Sequence, residues 1–369
     1  MKTFISALGK GTDWHACVTD LLAEAGEIPA SANLGFLYVT AALSADLKNI
    51  LRYLRSHTAI THWVGTTGTG ICHQGEEIYD LPAITALITS FPEDSFQLIE
   101  LNDEAPDAYL QQQHLDASKC YFGVVHGYPY REAEYILDVL GQTLPNSFLV
   151  GGLTSSDGYY AQIADQVTEV AMSGVLFAEG LSVATGLSQG CSPIGNAHLI
   201  TGCDKNILTS LDHISALDVF KQDIGDQLSR NLEYISGTIF TALPITGSDR
   251  NDYLVRNIVG IDLDNKMLAI SEMVEPGQSI LFCKRDRESA QEDMQRMLTQ
   301  LKKRCKSPVK GALYFSCLGR GRHLFGEHSE ELQLIQASLG SIPLVGFFAN
   351  GEISHNRLYG YTGVLTLFF

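Results

Sequence analysis

The sequence is short of positive charge: 25 lysines and arginines face 42 acids, for a net charge of −17. Phosphate backbones are held by basic surfaces, so nucleic acid is excluded as the expected partner. The same acidity disfavours docking on anionic lipid. No uncharged apolar run approaches the roughly 20 residues of a membrane span, and the opening Met1 to Lys10 has too short an apolar core for a secretion signal. No membrane association and a cytoplasmic location are therefore expected. The eight cysteines, Cys17, Cys72, Cys120, Cys191, Cys203, Cys283, Cys305 and Cys317, are scattered and contain no Cys-x-x-Cys. That argues against a disulfide framework or a zinc site, and the lack of Cys-x-x-Cys-His excludes covalently attached haem. Also missing are His-Glu-x-x-His, Gly-x-Ser-x-Gly and any paired metal-ligand spacing. Gly9-Lys10-Gly11-Thr12 fails the spacing of a phosphate loop, and Gly65 to Gly70 fails that of a dinucleotide fingerprint.

What is present describes a globular chain. Hydrophobic residues make up 45 % and charged residues 18 % of 369 positions, enough for two domains with their own cores. The segment Gly190 to Asn196, rich in glycine, serine and proline, is the expected boundary. The domains are accordingly 1–190 and 196–369.

An internal repeat organises the chain. Leu34 to Val39, Tyr121 to Val125 and Ala312 to Phe315 are apolar runs. Each is followed by a helical pattern and then by a second apolar run ending in Val-Gly: Val64-Gly65, Val150-Gly151 and Val345-Gly346. The expected fold class is α/β, with two mixed α/β domains built from repeated β-α-β units. Smaller expectations are a helix from Asp13 to Ala25 closed by Gly26 and a hairpin formed by Leu181 to Leu187 with the second unit.

Loops at the carboxyl ends of strands are where such proteins bind ligands. The richest is Ser316-Cys317-Leu318-Gly319-Arg320-Gly321, followed one helix later by Phe348 and Glu352. A cysteine phosphatase needs Cys-x-x-x-x-x-Arg, but that position holds His323, so no catalytic residue is assigned and the chain is expected not to be an enzyme. Arg320 either pairs with Glu352 or meets a ligand carboxylate, for which its planar fork is suited. Cys317, Phe348 and Glu352 are the accompanying lining candidates. Gly65 and Thr66 form a turn whose threonine hydroxyls line a pocket, and Gly151 sits at the equivalent turn of the second copy. Haem would need an axial ligand and an apolar slot. His73, His126 and His355, each just beyond a strand end, are the candidates, of which at most one is expected to ligate.

Together, Ser316 to Gly321, Val345 to Ile353 and Gly360-Tyr361-Thr362-Gly363-Val364-Leu365 resemble the FIST family, which pairs a FIST N with a FIST C domain. Arg256 to Asp262, Pro276-Gly277-Gln278, Arg285-Asp286 and the Val-Gly turns at Gly65 and Gly151 extend the resemblance over nearly the whole chain. It implies a sensory module for small ligands in signal transduction. Stand-alone members of the NosP type bind haem, sense nitric oxide and regulate a partner histidine kinase. The resemblance thus implies haem b as cofactor, a gas or other small molecule as signal and a histidine kinase as partner. The alternative is a sensor of amino acids or other small carboxylates without haem, anchored at Arg320.

Overall fold

A computed structural model describes residues 4–369 apart from 103, 105, 113–114, 130–132, 157 and 246–252. Each of the three repeated segments folds as strand, helix, strand. β1 (Leu34–Thr40) and β2 (His62–Gly68) flank α1 (Leu47–His57); β3 (Phe122–Gly127) and β4 (Phe148–Leu153) flank α2 (Ala133–Thr143); β5 (Gly311–Cys317) and β6 (Leu344–Ala349) flank α3 (Glu330–Leu339). In all three the strands pair in parallel, because a helical crossover returns the chain to the same end of the sheet. The strands are covered on both faces and so read as continuous apolar runs. The helices are amphipathic: α1 buries Leu47, Ile50, Leu51 and Leu54 and exposes Lys48, Arg52 and Arg55.

Each parallel pair lies inside a six-stranded sheet, and the three sheets share one order. It runs outer strand, antiparallel closing strand, the two parallel strands, then a hairpin. The hairpin always comes from another copy. Gln162–Ala164 with Gln166–Thr168, from the second copy, completes the first sheet; Glu352–Ser354 with Arg357–Tyr359, from the third, completes the second; Gly70–His73 with Glu76–Tyr79, from the first, completes the third. The exchange is cyclic, so no copy can form its full sheet alone. One face of every sheet turns into a shared core that includes Phe36, Tyr38, Val64, Val124, Val150, Leu313, Phe315 and Phe347. The alternate residues pack outward on the helices, as period-2 strands require: Leu37 with Ile50, Leu149 with Ile136, Leu344 with Leu332.

The three Val-Gly steps have a common cause. A Cβ on Gly65, Gly151 or Gly346 would lie 1.8, 1.8 or 1.7 Å from the carbonyl oxygen of Leu37, Val125 or Tyr314 on the partner strand. Only glycine lets the parallel strands approach this closely. Gly346→Ala is expected to force β5 and β6 apart and to cost about 3 kcal/mol, measured as a lower midpoint in denaturant.

The chain forms two compact units, residues 1–188 with 293–369, and residues 189–292. The smaller is antiparallel. Its long strand Cys191–Asp204 pairs with both Ser279–Arg285 and Ile207–Leu211, which closes a ring of six strands. Helix Ala216–Ser229 contributes Leu217 and Phe220 to the core of this unit.

Most of Gly190 to Asn196 lies in strand Cys191–Asp204, the first strand of the smaller unit. Gly195 falls in a register shift between Ile194 and His198 inside that strand, a bulge of the kind that tolerates glycine, while Pro193 pairs in register with Cys283. The chain re-enters the larger unit at 293, where the third copy closes the cycle of sheets. Val183–Gln189 does not form a hairpin with the second unit. Strand Met172–Phe177 already has neighbours on both sides, and Val183–Gln189 instead becomes the outer strand of the third sheet. The expected helix after Asp13 is present as Trp14–Ala25, with the Asp13 side chain accepting from the Ala16 N–H and Gly26 at φ 63°. No helix among the described residues is long and apolar enough to cross a membrane.

Candidate functional site

The loop after β5 turns back at Gly321, whose φ of 48° needs glycine. This carries Arg320 inward over the start of α3, where it is fully buried. Its Nε donates to Glu331 at 2.7 Å and its Nη2 reaches the same carboxylate at 2.7 Å. The remaining donors point to the Ser188 carbonyl and hydroxyl at 3.3 and 3.4 Å, and the guanidinium lies over the Phe325 ring. Arg320 thus pairs with Glu331 and not with Glu352. Burial opposes its charge, but Glu331 outweighs it and the guanidinium is held more firmly charged than usual. Glu331 is in turn saturated: it accepts from Tyr314 at 2.6 Å, Ser316 at 3.0 Å and the Gly321 N–H at 2.8 Å.

A second buried carboxyl, Glu77 on the exchanged hairpin, has no such cation. It accepts from the Tyr79 hydroxyl at 2.9 Å, while its Oε1 is unpartnered. Burial, then the proximity of Glu331, pushes its pKa up to about 7.

Glu352 is the third. One oxygen accepts from the Thr362 N–H at 3.0 Å and the Thr362 hydroxyl at 2.8 Å; the other makes no hydrogen bond. Burial pushes its pKa up to about 8, although Thr362, Arg320 and Cys317 pull the other way, so it is an acid and a hydrogen-bond donor at neutral pH. Cys317 is partly exposed, and its thiol is pushed well up by burial and by Glu352. It is therefore a poor nucleophile.

The remaining lining candidates lie against protein. Phe348 is buried and packs on the Tyr79 ring with centroids 4.8 Å apart. Thr66 shares a 2.6 Å hydrogen bond with Thr154, and Ser155 donates to the Phe348 carbonyl. These contacts tie together the carboxyl ends of the second strands of all three copies. Gly65 and Gly151 face the neighbouring backbone, as described above.

The three histidines differ sharply. His73 Nδ1 meets the Thr85 hydroxyl at 3.0 Å and Nε2 meets Glu24 at 3.4 Å; burial lowers its pKa to about 4. His126 occupies the same place in the repeat as Tyr38 and Phe315. The three rings form a near-equilateral triangle in the inner core, with centroids 5.6, 6.1 and 6.3 Å apart. Its Nε2 lies 3.2 Å from the Tyr38 hydroxyl, Nδ1 is unpartnered, and burial lowers its pKa to about 3. A porphyrin has no room in so closely packed a layer. His355 sits in a hairpin turn at φ 57°, exposed, with its ring edge-on to Phe148 at 5.3 Å. Burial and then Arg357 lower its pKa, which keeps the imidazole neutral, the form that ligates iron. Of the three, His355 alone is exposed to solvent, whereas His73 and His126 are buried and held by protein partners.

Glu331, Glu77 and Tyr314 were not legible as site residues. A glutamate pair opening a helix is the ordinary complement of its dipole, and Glu77 is far in sequence from the loop it faces.

Two domain models match the chain: FIST N over residues 33–214 and FIST C over residues 216–355. Among curated relatives, Uncharacterized protein Rv0628c of Mycobacterium tuberculosis is 29 % identical over 322 residues, covering 83 % of each chain. Uncharacterized protein Mb0898c of Mycobacterium bovis is 27 % identical over 359 residues, covering 93 % of this chain and 92 % of its own.

Proposed function

Since the chain belongs to the FIST family by both of its domains, it is a small-ligand sensory protein of signal transduction, and we propose that it binds haem b, senses nitric oxide through it and regulates a separate histidine kinase. The observation that carries the haem reading is His355. It is the one candidate of the three with a neutral, exposed imidazole that makes no hydrogen bond to any of the described residues. His355 would hold the group by one ring nitrogen, with Phe148 fixing the ring plane. Haem supplies an iron with a coordination position for a diatomic gas.

The haem-free reading, an amino acid or small carboxylate anchored at Arg320, is weaker. That guanidinium is buried and already paired with Glu331. We read the protein as non-enzymatic, which the strongly protonated Cys317 thiol supports. With a net charge of −17, docking of the kinase should weaken as salt rises.

The test is an absorption spectrum of the protein with one equivalent of haem. A Soret band that moves on reduction, and again with nitric oxide, is expected, together with altered kinase autophosphorylation. Haem remaining at its free-solution spectrum would remove the haem reading.

A further inference from the structure

At the amino ends of β3 and β4, opposite the end that holds His126 and Gly152, the larger unit contains a cavity of about 430 Å³. That is the size of a small-molecule site. Tyr121, Phe122 and Phe148 form an aromatic wall, Leu181 and Val183 an aliphatic one, and Arg304 supplies a guanidinium. Phe148, Leu181 and Val183 pack on the inner core yet stay only partly buried, so their apolar surface is left facing the cavity. Arg304 closes the helix Arg287–Arg304, beside Lys302 and Lys303 in the same last turn. Its Nη1 donates to the Thr185 carbonyl at 2.6 Å, which fixes the charge at the wall. The acidic lining residue, Glu179, accepts from the Cys120 N–H at 3.3 Å.

The geometry points to this cavity as the binding site for an apolar organic molecule that carries an anionic group, with its body on the aromatic wall and its anion on Arg304. The inference rests on the sensory reading above and gives it a location. Haem b, with its two propionates, belongs to this chemical class; Phe148 lines the cavity and also packs edge-on against the His355 ring, which is not itself among the lining residues. Burying an apolar body here is favourable without any partner charge, while the guanidinium adds selectivity for anions.

Two fluorescent probes test it: anilinonaphthalene sulfonate, which is anionic, and phenylnaphthylamine, which is neutral. Both should bind saturably with one site. Arg304→Gln should weaken the sulfonate about tenfold and leave the amine unchanged, and Arg304→Lys should restore most of the loss. Leu181→Trp, which narrows the cavity at its aliphatic wall, should weaken both probes several-fold while circular dichroism and the unfolding midpoint hold. Absence of saturable binding, or binding that Leu181→Trp leaves unchanged, would overturn the site. Haem separates this inference from the reading it rests on. Equal haem binding by wild type and Leu181→Trp would remove the cavity and leave the sensor. Probe binding with haem still at its free-solution spectrum would keep the cavity and remove haem.

Discussion

Arg320→Ala should cost about 3–5 kcal/mol of stability, read as a clearly lower midpoint in urea. The variant strands Glu331 as a buried charge, still surrounded by the Tyr314, Ser316 and Gly321 donors but without its cation. Removing one partner of a fully buried pair is far worse than lacking the pair altogether, because the desolvated charge stays behind. A cycle with Arg320→Met and Glu331→Gln should show a coupling of about 2 kcal/mol in urea unfolding, since the double variant buries no uncompensated charge. If Arg320 were a ligand anchor, the outcome would be different: a stable variant with lost binding. Stability near wild type in Arg320→Ala would contradict the structural role assigned to it.

Glu352→Gln should stabilise the protein at pH 8 and flatten its pH profile. The folded pKa of Glu352, about 8, lies above its ordinary value of 4.5, so the native state holds a proton that the unfolded chain releases. Its contribution is complete below pH 4.5 and is lost as pH rises toward and through 8, at most about 1.4 kcal/mol per pH unit. Glutamine keeps an acceptor for the two Thr362 bonds and cannot ionise, so the variant should gain roughly 4 kcal/mol over wild type at pH 8. Glu77, raised to about 7, titrates with the same sign and leaves a residual slope in the variant. Thermal unfolding at pH 5, 6, 7 and 8 reads both effects; parallel curves for wild type and Glu352→Gln would show that the buried carboxyl carries no proton.

The strands and their Val-Gly ends were legible because parallel strands covered on both faces leave unbroken apolar runs. The helix Trp14–Ala25 was legible because Asp13 and Gly26 are strong caps. The exchange of hairpins was not. Gly70–His73 is short and apolar, and nothing local says that it will pair with Val345 to Phe347. That Cys191 to Asn196 is a strand was not legible either, since its glycine and proline read as a break and only pairing with Ser279–Arg285 decides. At the candidate site the sequence offered the wrong protein partner for Arg320. Glu352 is the obvious carboxylate at a neighbouring strand end, but the turn at Gly321 carries the guanidinium to Glu331. Among His73, His126 and His355 local sequence does not discriminate, since the difference lies in Thr85, Glu24 and Tyr38, which arrive from elsewhere in the chain.

The most direct measurement for the sensory account is a haem titration followed at the Soret band, run on wild type and on His73→Ala, His126→Ala and His355→Ala. The account predicts a saturable, protein-bound spectrum that moves with nitric oxide and that only His355→Ala abolishes or shifts. A free-solution haem spectrum in wild type, or a bound spectrum that survives His355→Ala and is lost with His126→Ala or His73→Ala, would contradict it.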